Sequence, residues 1–451
     1  MIVLRSRLLL VLCSVPGLYA QQLHAQTPDY HFVNGNVLTM ETSQPVRAEL
    51  LISEGVISAV GESLTPDGGS IRIDLEGGYL MPGLSEMHAH VPAGQSETYR
   101  DEVLFLFVAN GVTTIRGMLG HPDHLPLRDA LADGQLLGPR LITSGPSFNG
   151  RSGSTAQRTE RMVREQHAAG YDFLKIHPGV PLAAYDAMVT VAGELGMPFV
   201  GHIPQEVGLL HALASGQATV DHLDGYVQAL VANISSSDDG GLFAVSLLPR
   251  VDESRIALVA DATFAAQAWV VPTHTLLLNF AAVSNKQAVF DRPQNVYLPP
   301  SLLANYKSSL NGITAGVSAA AASDYLALRD RLIQQLHAKG VGILLGSDAP
   351  QIFNVPGFSI HRELAAMVAA GLSPFAALQT GTTNPARYFN QEAVFGKLKP
   401  GLSADLVWLA GNPLEDIDNT REIRGVMVRG RWLDRQALDQ GLAAIRSRHG
   451  N

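Results

Sequence analysis

The feature that most limits what this chain can fold into is a rhythm that begins at residue 80. A short apolar run of β character is followed by a helical pattern, and the alternation repeats. The runs are Leu80–Met87, Gly111–Met118, Arg140–Pro146, Tyr171–Ile176, Pro198–His202, Ala218–His222, Trp269–Leu277 and Val341–Asp348, eight in all. Helical patterns fall between them, as at Thr155–Ala169, Leu182–Leu195 and Ser323–Lys339, and a final helix is expected near Pro374–Phe389. Eight βα units predict an α/β fold, a closed (β/α)8 TIM barrel over residues 81–390. A doubly wound open sheet is the alternative, but no Gly-rich phosphate loop accompanies the runs. Two connections are long, 225–265 and 278–325, and are expected to be lids or flexible segments.

Both flanks read differently. Tyr30–Thr39, Ala48–Ser53, Val56–Val60 and Ile71–Leu75 are strand-like and separated by turn residues, among them Asn34-Gly35 and Glu54-Gly55. β character returns at Ala404–Leu409, Ile423–Val428 and Gly430-Arg431-Trp432. Neither flank is comfortable alone, so residues 26–80 and 391–451 are expected to build one small composite β-sandwich.

The first 25 residues look like an export signal. Arg5 and Arg7 precede an apolar stretch, Leu8–Ala20, with cleavage-like endings at Leu18-Tyr19-Ala20 and Leu23-His24-Ala25. The stretch is too short to span a bilayer comfortably. Its removal would take the formal charge from -9 to -11 and would remove Cys13, the only cysteine. A periplasmic or secreted protein without a thiol has no disulfide, zinc–thiolate site or cysteine nucleophile. An acidic chain without basic runs offers nucleic acid no electrostatic footprint. The expected partner is a small-molecule substrate, with a homo-oligomer left open.

Histidines mark the chemistry. His88 and His90 are two residues apart at the end of the first run, so a strand aims both to one face. Neutral imidazole is the commonest metal ligand among side chains. Several of the other runs also end in, or next to, ionisable or metal-competent groups: Lys175, His202, His222 and Asp348, with His274 on the seventh. Barrel chemistry gathers at the carboxyl ends of strands, so this pattern points to a metal centre. His124, His167, His211, His337 and His361 fall in loops or helical patterns and are read as non-ligands.

The chain resembles the amidohydrolase superfamily, in the branch of Xaa-Pro dipeptidase-like and imidazolonepropionase-like proteins. The matching pieces are Met81-Pro82-Gly83-Leu84 with His88-x-His90, Asn110 to Thr114, Lys175, Gly201-His202, Asp221-His222, Gly346-Ser347-Asp348 and Lys399 to Val407. The resemblance implies two divalent cations, usually zinc. His88, His90 and Asp348 would hold one, His202 and His222 the other, and a carboxylated Lys175 would bridge them. The alternative for Lys175 is an ordinary lysine paired with a carboxylate, leaving a single metal. The implied activity is hydrolysis of amide C–N bonds, in Xaa-Pro-like dipeptides or N-acyl amino acids. Asp348 would serve as acid–base catalyst. The same centre could instead open a lactone, aryl ester or phosphotriester, and a binding protein with a dead site is a third reading. Tyr226 and His274 are the candidates for donating to the carbonyl oxygen as it gains charge. Arg116, His121, Arg151 and His177 are candidates for holding a substrate carboxylate.

Overall fold

The computed structural model describes residues 28–94, 96–235, 238 and 240–450. The export segment expected over residues 1–25 lies outside the described residues. The strands are β1 (Tyr30–Val37), β2 (Val46–Ser53), β3 (Val56–Gly61), β4 (Ile71–Asp74), β5 (Tyr79–Pro82), β6 (Leu84–Ala89), β7 (Val112–Gly117), β8 (Arg140–Thr143), β9 (Leu174–Ile176), β10 (Phe199–Gly201), β11 (Thr219–Asp221), β12 (Trp269–Val271), β13 (Leu406–Leu409), β14 (Ile423–Val428) and β15 (Arg431–Asp434).

Both ends of the chain share one sheet of eight strands, in the order β15-β14-β13-β5-β1-β2-β3 with β4 also on β1. The first long run is divided at Gly83: Tyr79–Pro82 pairs with β1 and β13, and only Leu84–Ala89 joins the parallel strands. The sheet curls. Phe32 on β1 meets Trp432 on β15 edge to face at 5.2 Å, although β14, β13 and β5 lie between them in hydrogen-bonding order. The two hairpin tips also touch. Glu54-Gly55 and Arg429-Gly430 all have positive φ, as such turns require. A side chain at Gly430 would lie 2.4 Å from Gly55 Cα, so only glycine permits that approach.

The central strands are parallel. β6-β7-β8 form one sheet and β9-β10-β11-β12 another. Parallel bridges Ser144↔Phe173 and Phe148↔Ile176 join the end of β8 to β9. Segment 341–349 bridges β12 at Val270↔Ile343 and β6 at Ala89↔Ala349. These strands are buried almost without alternation, as expected where helices cover one face and packed side chains the other.

Helices follow the expected pattern, with identifiable stops. Ala156–Ala169 begins at Thr155, whose hydroxyl accepts from Arg158 N, and ends at left-handed Gly170. Leu182–Leu195 ends in the same way at Gly196. Two expected strands depart from regularity. The eighth run is extended but bridged only at Ile343 and Ala349, because Leu345 N turns to Thr380 O and Asp348 takes φ 63°. The seventh stops at Val271, and His274 opens the helix His274–Ala281 instead of ending a strand. Pro272 and left-handed Thr273 (φ 46°) make that break. The long connections, expected as lids or flexible segments, are largely helical, with Ile256–Ala265 in the first and Lys286–Phe290 and Pro300–Ile313 in the second. Among the described residues no helix is long and apolar enough to cross a membrane.

Candidate metal centre

The site begins on β6, where Glu86 and His88 share a face with His90 just beyond the strand. His88 is 1% exposed, and the side chain of His90 keeps 18%. From the eighth segment Asp348 reaches both: Oδ1 lies 2.6 Å from His90 Nε2 and 3.5 Å from His88 Nε2. Its Oδ2 is 4.0 Å from His222 Nδ1. The His222 ring lies 4.6 Å from the rings of both His88 and His202. Donor atoms of His88, His222 and Asp348 all fall within 4.8 Å of one another, a spacing one cation can satisfy. His177 stacks on His202 at 5.0 Å and so extends the cluster toward solvent.

Lys175 on β9 is fully buried. Its Nζ has no hydrogen-bond partner, and its nearest carboxylate oxygen, Asp221 Oδ2, is 3.6 Å away. That is too far for a hydrogen bond. Gly201 makes room for it: φ is +117°, and a Cβ there would lie 3.0 Å from Lys175 Nζ and 2.5 Å from Ile176 O. An orphaned buried ammonium is costly, and burial lowers the Lys175 pKa although Asp221 and Asp348 pull it upward.

The charge states suit cation binding. Burial, with Lys175 next, holds His88 well below the usual imidazole range. Burial lowers His202 to about 3 and His222 to about 4. Neutral rings are what a metal needs. Burial alone would raise the Asp348 carboxyl, but His88 and His90 beside it outweigh that and keep it anionic. This donor set, of neutral imidazoles, an anionic carboxylate and an unpartnered lysine, fits one or two divalent cations.

An inner scaffold fixes these groups. Glu86 accepts from Ser347 N (2.7 Å), Ser347 Oγ (2.6 Å) and His88 N (3.1 Å), tying the Asp348 segment to β6. Asp224 Oδ2 is 2.6 Å from His202 Nδ1, and Thr273 Oγ1 is 2.7 Å from His222 Nδ1. Asp221 Oδ2 is 2.9 Å from His88 Nδ1. Arg329 donates to His222 O and Pro272 O, both at 2.6 Å.

Several expected roles need correction. Tyr226 does not join the cluster: its ring is in the core and its hydroxyl bonds Thr263 Oγ1 at 2.8 Å. His274 is held elsewhere too, with Nε2 3.2 Å from Asp330 and Nδ1 accepting from Arg329 Nε at 3.3 Å. Arg116 is not on the rim; it is fully buried, donates to Met87 O at 2.7 Å and faces Asp221 Oδ1 at 3.4 Å. His121 is half-exposed and paired with Asp123, and Arg151 sits exposed on a turn. Of the residues read as non-ligands, His211 bonds Asp186 and His361 bonds Thr420. Sequence reasoning missed Glu86, Asp224, Thr273 and Arg329, and gave Asp221 no role of its own. Glu86 could have been found from its shared strand face with His88 and His90. Arg329, mid-helix and 107 positions from His222, carries no local signal.

The chain matches the amidohydrolase family over residues 79–433. It belongs to that family. The amidohydrolase shares its fold with a bottromycin amidohydrolase (TM-score 0.70, 23% identity, covering 94% of this chain and 91% of the other). A Xaa-Pro dipeptidase with methionine in its active site gives a TM-score of 0.66 at 19% identity, covering 90% of this chain and 100% of the other. A prolidase complexed with N-methylphosphonate-L-proline gives 0.63 at 21%, covering 90% and 100%. No curated protein sequence matches the amidohydrolase significantly.

Proposed function

We propose that this amidohydrolase is an exported, metal-dependent hydrolase of amide bonds in small substrates. The favoured ones are dipeptides with a bulky or cyclic C-terminal residue, Xaa-Pro among them, and N-acyl amino acids. The observation that carries the reading is the convergence of His88, His90, His222 and Asp348 beside an unpartnered buried Lys175. Supporting the substrate class are a Xaa-Pro dipeptidase, and a prolidase complexed with N-methylphosphonate-L-proline, on the same fold. The cyclic order of parallel contacts, β6 through β12 and back through segment 341–349, supports a closed (β/α)8 barrel with every donor at a strand's carboxyl end. The curl of the outer sheet supports a composite sandwich from residues 26–80 and 391–451 around a barrel of 81–390.

Two divalent cations, zinc above all, suit this thiol-free set; such ions polarise carbonyls and make water acidic enough to attack at neutral pH. His88, His90 and Asp348 would hold one and His202 and His222 the other. Burial lowers the Lys175 pKa and so favours the neutral amine; addition of carbon dioxide at Nζ with loss of a proton would give a carbamate, an anionic oxygen ligand that could serve both cations. The Asp348 carboxylate takes the proton of the attacking water and returns it to the departing amine nitrogen. Asp224 and Thr273 fix the His202 and His222 rings through their Nδ1 atoms.

The test is metal analysis followed by a substrate screen. The purified protein is expected to hold two cations per chain and to cleave Xaa-Pro dipeptides or N-acyl amino acids. Less than one cation per chain after zinc-replete expression would overturn the centre. Lactones or phosphotriesters turned over orders of magnitude faster than any amide would overturn the amidase assignment alone.

A further inference from the structure

Away from this centre, two guanidinium groups share one acceptor. Arg292 Nη1 donates to Asn279 Oδ1 at 2.7 Å and Arg362 Nη2 to the same oxygen at 3.2 Å. The two donor nitrogens are therefore within about 6 Å of each other. Both side chains are largely buried yet keep some surface in solvent. Among the described residues no carboxylate lies within 4.0 Å of either guanidinium, since neither makes an ion pair. Arg362 Nη1 is buried with no hydrogen-bond partner.

The neighbouring acids are already engaged. Glu363 gives one oxygen to His274 N (2.8 Å) and the other to Thr275 N (2.6 Å), capping the helix His274–Ala281. Asp291 accepts from Gln287 Nε2 at 2.7 Å. Asp418 is bound by Arg421, whose positive charge also acts on Arg362. Burial pushes Arg292 down to about 10. Burial, then Arg292 and Arg421, pushes Arg362 down to about 9. Two largely buried like charges with no carboxylate in ion-pair reach are expensive even with the more distant Glu363, and a bound anion would remove much of that cost.

We propose that Arg292 and Arg362, set against Asn279, form a binding site for a doubly charged tetrahedral oxyanion such as phosphate. Planar guanidinium forks match the oxygens of such a group, and two negative charges balance the pair, which a single carboxylate does not. The site is separate from the metal centre but joined to it. Asn279 Nδ2 donates to Asn354 Oδ1 at 2.9 Å, and Asn354 Nδ2 donates to the carbonyl of Ser347, the neighbour of Asp348.

Thermal unfolding tests it without reference to catalysis. The metal-loaded protein is titrated with inorganic phosphate, sulfate or acetate against chloride at equal ionic strength. Phosphate and sulfate are expected to raise Tm by about 2–3 °C, with saturation, and acetate much less. Arg292→Gln keeps an N–H for Asn279 but loses the charge, and should abolish the phosphate shift. Arg292→Lys should retain part of it. Arg362→Gln serves the same purpose if the first variant does not fold. A wild-type protein that shows no saturable shift, or a shift that survives in the glutamine variant, overturns the site. The second result would place phosphate elsewhere, for instance on the bound cations.

Discussion

At the scale of single residues, Lys175 and Gly201 act as a pair. The lysine reaches the centre only because the glycine has no side chain in its path, and φ +117° is open to glycine alone. Gly201→Ala should therefore lower the free energy of unfolding by about 2 kcal/mol or more and deplete bound metal, read by denaturation and elemental analysis. Lys175→Ala should reduce the metal count from two per chain to one and activity at least a hundredfold, on the order expected for loss of ligand support. An unchanged metal count in that variant would sink the bridging role. His88, His90, Lys175, His202, His222 and Asp348, the proposed ligand set, could be picked out of the sequence because each lies in or just after an apolar run. Tyr226 and His274 misled for a local reason. Position in the chain gives no direction for a ring, and Thr263 and Asp330 offered those rings better partners.

At the scale of elements, the helix Ala319–Lys339 holds the centre from outside. Its Arg329 is 1% exposed and staples the carbonyls of His222 and Pro272. The residues it secures are strained, with φ 62° at His222 and 46° at Thr273. Arg329→Met would leave two buried acceptors without their donor and should cost about 2–4 kcal/mol in a denaturant titration, with weaker zinc retention. Arg329→Lys should recover part of the stability, because one ammonium can still reach a carbonyl but lacks the planar fork. Helix extents were readable from capping residues such as Thr155 and Gly170. The irregular eighth segment was not, since its backbone is diverted by Thr380 and by the turn at Asp348.

At the scale of the whole molecule, stability should depend on pH through buried histidines outside the proposed ligand set. Burial holds His361 at about 3 and His124 at about 4. The unfolded chain, with imidazoles near 6.5, binds more protons than the folded one between those values. Stability from this source is thus complete above about pH 6.5 and lost as pH falls toward 4. The metal-loaded protein should show a falling denaturation midpoint from pH 7 to 4.5, and His361→Gln a shallower fall; equal slopes would remove His361 from the account. Removing residues 404–450 would take β13, β14 and β15 from the shared sheet and bare the β5 edge. Such a truncation should be insoluble or unfolded by circular dichroism. The sequence by itself determined the alternation of strand and helix and the residue types of the candidate metal centre. These depend on local periodicity and on residues within a few positions of one another. Only the tertiary structure decided which side chains support that centre. Glu86 with Ser347, Arg329 with His222 and Arg116 with Asp221 meet across 261, 107 and 105 residues. Contacts between such distant positions form only when packing brings their elements together, so no local pattern records them.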